Sequence, residues 1–222
     1  VDSGLFLKAT RRPADLDQAC SRLCLTSEPG NGYIFQVMPR FKTRREGDKI
    51  MYGDQVVMFS PKTALYIDCS TRFKIPIYEP IIYDKIKKRH PTPIRKRNPE
   101  NFASRYEINL SSKKRDWIIN SYTHATRSQR DWIKSGDYIR LVHTENDAAL
   151  FADGKDFIRT SKPQVYLRDR KDVDLVPDTL SSNALFQIEA DDSEGPQGNH
   201  IYASSQFAPK TSRGTVIAGK TE

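Results

Sequence analysis

The sequence contains little cysteine. Among 222 residues there are three, Cys20, Cys24 and Cys69. A low and odd number argues against a disulfide-bonded scaffold and favours a reducing compartment. Cys20 and Cys24 are four residues apart, but no further Cys or His lies near them, and a zinc site usually needs four nitrogen or sulfur ligands. We therefore predict no metal site.

Long apolar runs and helical patterns are also scarce. No stretch of about 18 apolar residues occurs, which argues against a transmembrane helix within the chain. Residues 1–8 lack the charged start and the apolar stretch of a signal peptide and look like the interior of a domain, so we expect a fragment. Only residues 14–25 suit a helix, and Pro13 and the β-prone residues 23–25 limit it to a turn or two.

A catalytic constellation is absent from the sequence. The four histidines are scattered, and His143 beside Val142 suits a structural role better than that of a general base. Residues 214–221 match the phosphate-binding loop pattern letter for letter. That loop requires a following helix, whereas the chain ends one residue later and the middle of the segment is β-branched and apolar. We predict no enzyme activity, no nucleotide site and no cofactor.

Positive charge is what the sequence has in excess. The formal net charge is +8, which favours anionic partners or serves only to keep the surface soluble. The densest basic run extends from Lys85 to Arg97 and contains Pro91 and Pro93, so it predicts an exposed loop. Acidic lipid and acidic protein are its candidate partners, and simple solvation is the alternative. No stacking aromatics alternate with these charges, so nucleic acid is not an expected partner.

Two short strand patterns recur along the chain. The first is an apolar triplet followed by Lys or Asp, at residues 5–7, 65–67 and 150–152. The second follows about 30 to 40 residues later, with an aromatic, a polar and an aliphatic residue in order, at residues 35–37, 106–108 and 186–188. An alternation of period two is typical of a strand with one buried face.

A Gly-Asp turn opens two of these units, at residues 53–58 and 136–141, and feeds a β-branched run in each case. Each unit therefore consists of a turn, two strands, a long variable loop and a closing strand. One such unit cannot bury its apolar face alone. The sequence predicts an all-β fold with few short helices, either a β-trefoil or another closed form.

Several segments carry a resemblance to a known family. The stretches Gly-Tyr-Ile-Phe-Gln-Val-Met-Pro (32–39), Glu-Gly-Asp-Lys-Ile (46–50) and Tyr-Gly-Asp-Gln-Val-Val (52–57) resemble the first β-trefoil of inositol trisphosphate receptors. The stretch Ser-Gly-Asp-Tyr-Ile-Arg-Leu-Val-His (135–143) resembles the start of the second trefoil, which is built of MIR repeats. Residues 166–168 and 181–186 continue that likeness. Ryanodine receptors share the fold.

The resemblance implies a domain organisation and a function. Residues 1–115 would be the latter part of a first β-trefoil, 116–135 a linker, and 136–222 the start of a second, MIR-like trefoil, with both modules incomplete. The full-length protein would be a homotetrameric calcium-release channel on an endoplasmic reticulum or other calcium-store membrane. This chain would lie on the cytosolic side and contact other receptor domains and subunits.

The resemblance also implies a ligand and its contacts. In the family, the loop at Arg168 clamps the phosphates of an inositol phosphate with Arg-Thr-Thr-Gly-Arg. Here Arg168 matches, Arg170 and Lys171 replace the second Arg, and Asp169 is an added acidic residue. Bidentate Arg contacts suit phosphate oxygens.

Arg140 is at a position that is also basic in the ligand-binding family members. Ala148 replaces a Lys that the family often has. The alternatives for Arg140 and the Arg168 loop are a solvent-facing strand residue and a solvated charged turn.

Two rival functions accompany this hypothesis. One is a structural or interaction module with MIR-like repeats and no small ligand, favoured by the departures in the Arg168 loop. The other is a MIR module attached to an enzyme, as in protein O-mannosyltransferases. The cysteine pattern and the missing signal peptide argue against the enzyme-associated module.

Overall fold

The structure, a computed structural model, describes residues 5–28, 32–41, 45, 47–74, 105–121, 131–153, 164–169, 184–190, 200–201 and 206–211. These residues contain twelve strands. In chain order the strands are β1 Phe6–Pro13, β2 Ser21–Thr26, β3 Phe35–Pro39, β4 Gln55–Ser60, β5 Leu65–Lys74, β6 Arg105–Ser111, β7 Trp117–Ser121, β8 Tyr138–His143, β9 Ala148–Asp153, β10 Gln164–Asp169, β11 Phe186–Ala190 and β12 Gln206–Thr211. No helix is among the elements of these residues, so the all-β prediction is confirmed.

The strands form where apolar and polar residues alternate. In β1, Leu7 and Ala9 are fully buried, and in β3 the same holds for Phe35 and Val37. Their neighbours in sequence face the opposite side of the sheet, as the period of two requires. The short helix predicted within residues 14–25 is absent, because residues 14–20 form turns and the β-prone segment that follows is β2.

Six strands close into a ring through antiparallel pairs. The order is β12–β3–β4–β7–β8–β11, and β11 pairs with β12 to complete the circle. The other six strands form three hairpins, β1–β2, β5–β6 and β9–β10. Each hairpin joins the ring through its first strand, which pairs with β12, β4 or β8 respectively. We call the closed set the six-strand ring.

The hairpins meet one another through their second strands. β6 pairs with β2 through residues 109–110 and with β10 through residues 105–107, both along the edge opposite β5. The pattern of a ring strand, a hairpin and a second ring strand therefore occurs three times in the described sheet. Because sheet edges are paired by this arrangement, few strand edges remain to be covered.

Three isoleucines tie the three units together at one end of the six-strand ring. The Ile50 N–H donates to the Ile201 carbonyl at 2.8 Å, Ile201 donates to Ile133 at 2.8 Å, and Ile133 donates to Ile50 at 2.9 Å. All three are buried, with at most 1% of the surface exposed. Each lies five residues before its strand, β4, β8 or β12. We call this set the isoleucine ring.

The Gly-Asp turns have a direct structural role. Gly53 and Gly136 adopt φ of 88° and 92°, a left-handed conformation that favours glycine. The Asp54 carboxylate accepts the Met51 N–H at 2.8 Å, and the Asp137 carboxylate accepts the Lys134 N–H at 2.9 Å. The motif therefore fixes the turn that leads from the isoleucine ring into β4 and β8.

The strands predicted within the described residues are present, and the strand predicted at residues 215–217 lies outside them. One of the predicted equivalences is wrong. The sequence grouped β6 with β3 and β11 as closing strands. In the structure β6 is the second strand of a hairpin, and β7 occupies the closing position between β4 and β8. β7 contains Trp117, which is fully buried and donates its indole N–H to the Ile67 carbonyl at 3.2 Å.

The predicted division at residues 116–135 does not separate two sheets. β7 lies inside that range, and β12 pairs with β1 and with β3. The Tyr52 hydroxyl also donates to the Asp137 carboxylate at 2.7 Å, across the predicted division. The segments 1–115 and 136–222 therefore contribute to one sheet within the described residues, and a single apolar cluster spans both segments.

None of the residues that the structure describes forms a helix with the length and apolar character that crossing a membrane requires.

Candidate functional site

The site predicted around Arg168 lies on the outer face of the sheet. In the register of β6, β10 and β9, Arg168 is opposite Arg105 on one side and Ala149 on the other. Tyr166 is opposite Phe151 in the same pairing. Because residues two apart in a strand share a face, these side chains lie on one surface, which faces away from the main apolar cluster.

Each of the two arginines covers an aromatic ring. The Arg105 guanidinium carbon lies 4.6 Å from the centroid of the Tyr166 ring, and that of Arg168 lies 5.5 Å from the centroid of Phe151. The two rings pack against each other with centroids 5.3 Å apart. Stacking of this kind suits the planar guanidinium group and holds its orientation. We call these four residues the arginine shelf.

The arginine shelf combines buried rings with half-buried cations. Tyr166 and Phe151 are 1% and 2% exposed, whereas both arginines remain partly open to solvent. The Nε atoms of Arg105 and Arg168 are buried and donate to no acceptor among the described residues. Directly opposite cross-strand residues have Cβ atoms about 5 Å apart, so the two positive charges are close neighbours.

The carboxylate of Glu107 lies on the same face and accepts hydrogen bonds from the backbone. Glu107 is opposite Tyr166 and is only 7% exposed. Its two oxygens accept the backbone N–H groups of Leu16 and Asp17, each at 2.8 Å. Glu107 therefore anchors the turn between β1 and β2.

Arg140 shares the face of the arginine shelf. Val142 in β8 is the partner of Ala149 in β9, and Arg140 lies two residues from Val142. By the alternation of a strand, Arg140 is on the same side as Ala149 and Arg168. The structure thus places two of the predicted site residues on one surface.

The remaining predicted contacts fall outside the described residues. Arg170 and Lys171 follow β10 directly, and the basic run 85–97 and the segment 214–221 are likewise outside. The sequence did not point to Arg105, because no motif marks it. Only the register of β6 against β10 brings it beside Arg168.

His143 is the buried histidine of the described structure. It is fully buried, with its ring 5.1 Å from that of Trp117 in an edge-on arrangement. Burial lowers the pKa of its imidazole below the ordinary value, an effect that Glu145 and Asp68 partly oppose. Neither ring nitrogen has a hydrogen-bond partner among the described residues. The surroundings suit a neutral packing residue, as the sequence predicted.

The thiols of Cys20 and Cys69 are weak acids in this structure. Burial raises the pKa of the Cys69 thiol to about 12, and burial together with Asp17 raises that of Cys20 to about 11. Both thiols are therefore protonated at neutral pH and are poor nucleophiles. Within the described ranges, no group of three or more His, Cys, Asp or Glu side chains is placed to hold a metal ion.

The fold and the arginine shelf define an all-β, barrel-like module with a basic outer face. A comparison with protein families then gives a specific match. Residues 1–82 match the model of the family described as inositol 1,4,5-trisphosphate/ryanodine receptor. The resemblance predicted from the sequence is confirmed over that segment, which contains the first strands and the doubled Gly-Asp motif. The matched family is one of receptors and not of enzymes.

Proposed function

We propose that the chain is an N-terminal ligand-sensing and subunit-contact region of a calcium-release channel similar to inositol trisphosphate receptors. The observation that carries this proposal is the family match over residues 1–82. The matched segment includes Ile50, one of the three members of the isoleucine ring, and the Gly-Asp turn at Gly53 that leads from this ring into β4. The matched family is described as one of receptors, so the proposal includes binding and no catalysis.

The fold assignment within this proposal is a β-trefoil. The three-fold recurrence of ring strand, hairpin and ring strand supports it, as does the isoleucine ring. A trefoil holds a rigid core and presents variable loops, which suits a module that changes position without changing shape. Ligand binding would shift the population between two arrangements of such modules and thereby bias a distant gate.

The ligand in this proposal carries phosphate groups. Arg168 and Arg140 share a face, and Arg170 and Lys171 follow Arg168 in sequence. An inositol phosphate would bind through charge-assisted hydrogen bonds from these side chains. The region would lie on the cytosolic side of an endoplasmic reticulum or other calcium-store membrane, in a homotetramer. The basic run 85–97 would contact acidic lipid or protein.

A second candidate function is an interaction module without a small ligand. The sequence observation in its favour is that Asp169 and Asp172 flank Arg170 and Lys171. A carboxylate beside a polyphosphate is repulsive. In that case the surface would serve contacts between domains or subunits.

The test is isothermal titration of inositol 1,4,5-trisphosphate into the full-length protein and into its Arg168→Gln variant. We expect saturable binding that the substitution weakens by about tenfold or more, the cost of a lost charge-assisted contact of at least 1.4 kcal/mol. The absence of binding to the unsubstituted protein would remove the ligand-sensing role and leave the interaction module.

A further inference from the structure

We propose that Arg105 and Arg168 form a two-guanidinium site for one phosphate group, held between them on the aromatic rings of the arginine shelf. The inference rests on the proposed function for Arg168 and extends it to Arg105. It also names the chemical group that the surface selects.

The site brings two positive charges together. Arg105 and Arg168 are direct partners across an antiparallel strand pair. Like charges in that position are destabilising unless something offsets the repulsion. Among the described residues, no carboxylate forms an ion pair with either guanidinium. The Glu107 carboxylate, on the same face, accepts hydrogen bonds from the backbone N–H groups of Leu16 and Asp17. A bound anion offsets the repulsion.

The two guanidinium groups are held in place by aromatic rings. Arg105 lies over Tyr166 and Arg168 lies over Phe151, each within cation–π distance. Because the rings beneath are buried and packed together, the two cations are held before any ligand arrives. The Nε atoms are buried, and each arginine as a whole is partly exposed, so the terminal N–H groups of the two guanidinium groups are the donors that a ligand can reach. Preorganised donors of this kind favour a ligand with several acceptor oxygens.

The charge and the number of acceptor oxygens favour a phosphate group over a carboxylate as the ligand. A phosphate monoester carries a charge of about −1.5 to −2 at pH 7 and three acceptor oxygens. A carboxylate carries a single charge and two oxygens. Two adjacent guanidinium groups therefore match the phosphate in both charge and number of hydrogen bonds.

The test measures thermal unfolding of the 222-residue chain in sodium phosphate and in sodium chloride at equal ionic strength. We expect inorganic phosphate at ten times its dissociation constant to raise Tm by about 3–6 °C. The Arg105→Gln and Arg168→Gln variants each lose most of this rise. Arg12→Gln is the matched control, since Arg12 is exposed on β1 and its substitution removes the same charge. It keeps the full rise.

Folding of the variants is checked in the same experiment. In chloride, Arg105→Gln should unfold within about 2 °C of the original chain, because it loses a stacking contact and a like-charge repulsion together. Arg105→Lys keeps the charge but not the planar fork, and we expect it to lose at least half of the phosphate-dependent rise. An equal rise in sodium acetate, or an undiminished phosphate rise in Arg105→Gln, would overturn the proposal.

Two further arms identify the source of the phosphate group. Vesicles of phosphatidylcholine, with and without phosphatidylinositol bisphosphate, are sedimented with the chain and with Arg105→Gln. Binding that needs both the phosphorylated lipid and Arg105 identifies a headgroup, and a response to inorganic phosphate alone identifies a free ligand. Binding to neither contradicts the site.

The experiments distinguish a failure of this inference from a failure of the proposed function. If inositol trisphosphate binds the full-length protein through Arg168 but Arg105→Gln has no effect in either experiment, the proposed function holds and this inference fails. If inorganic phosphate binds with both arginines required and inositol trisphosphate does not bind, the inference holds and the ligand-sensing role fails.

Discussion

The isoleucine ring and the arginine shelf are built by the same three-fold pattern, yet they use it in opposite ways. At the isoleucine ring, all three units contribute the same residue type and the same backbone hydrogen bond. At the arginine shelf, two units contribute different side chains, and the third contributes none. The repeated isoleucine supplies matching backbone hydrogen bonds at one end of the six-strand ring. On the outer face the units differ in sequence, and this difference produces the basic surface of the arginine shelf.

The difference shows in how polar groups are satisfied. In the isoleucine ring each donor has an acceptor within 2.9 Å. On the arginine shelf two buried Nε–H groups lack acceptors among the described residues. Most buried polar groups in native structures are paired, and a ligand that engages the two guanidinium groups is the partner that we propose for this surface. The comparison therefore assigns stability to the ring and binding to the shelf.

The largest expected effect concerns amide exchange at the isoleucine ring. If the three units share one sheet, the amides of Ile50, Ile133 and Ile201 should exchange only when the whole sheet opens. Protection factors should then agree within about tenfold and exceed about 1000, as for amides that follow global unfolding. Hydrogen exchange followed by NMR measures this. Fast exchange at Ile201, with slow exchange at the other two, would support two separate modules instead.

The next effect is the loss of one ring member. Ile133→Ala removes three buried carbons and leaves a cavity at a site with no exposed surface. We expect the free energy of unfolding to fall by about 2–5 kcal/mol. Urea denaturation monitored by tryptophan fluorescence gives the value. Leu16→Ala is the control, since Leu16 is 36% exposed, and it should cost less than about 1 kcal/mol.

A smaller effect is expected beside the arginine shelf, at Glu107. Glu107→Gln keeps the size of the side chain but replaces one accepting oxygen with an amide that faces a backbone N–H. We expect destabilisation by about 1–3 kcal/mol, the range for a buried donor left without its acceptor. Comparison of denaturation midpoints with those of Glu28→Gln, on an exposed residue, measures it. Equal midpoints for the two variants would show that Glu107 does not anchor the turn.

The smallest effect is the pH dependence contributed by His143. Its folded pKa is lowered by burial, so below about pH 6.5 the unfolded chain takes up a proton that the folded chain does not. Stability should therefore fall as the pH drops below about 6.5. The His143→Phe variant removes this contribution and leaves that of the other histidines. The difference between the two pH slopes is the measured quantity, and parallel slopes would contradict it.

The sequence predicted the all-β fold and most of the strands because alternation and Gly-Asp turns are local signals. The aromatic-polar-aliphatic triplet of β3 and the turn at Gly136 are examples. It misplaced β6 and missed β7, because pairing partners depend on contacts far apart in the chain. The Trp117 indole N–H in β7 donates to the Ile67 carbonyl, and no local sequence pattern predicts a contact between residues so far apart.

The site was predicted only in part for the same reason. Arg168 and Arg140 were identified from their positions in motifs, and the structure places them on one face. Arg105 has no motif, and its proximity to Arg168 depends on a strand register that joins residues 63 positions apart. The basic residues can be identified from the sequence, but only the register of β6 against β10 shows which of them are neighbours.

The most direct test of the central claim is an NMR titration of the 222-residue chain, labelled at arginine, with inorganic phosphate. The Nε–H signals of Arg105 and Arg168 are assigned from the Arg105→Gln and Arg168→Gln variants. The account predicts that both signals shift together with one dissociation constant, while the signal of Arg12 stays in place. A shift of Arg168 alone, or of neither arginine, would contradict it.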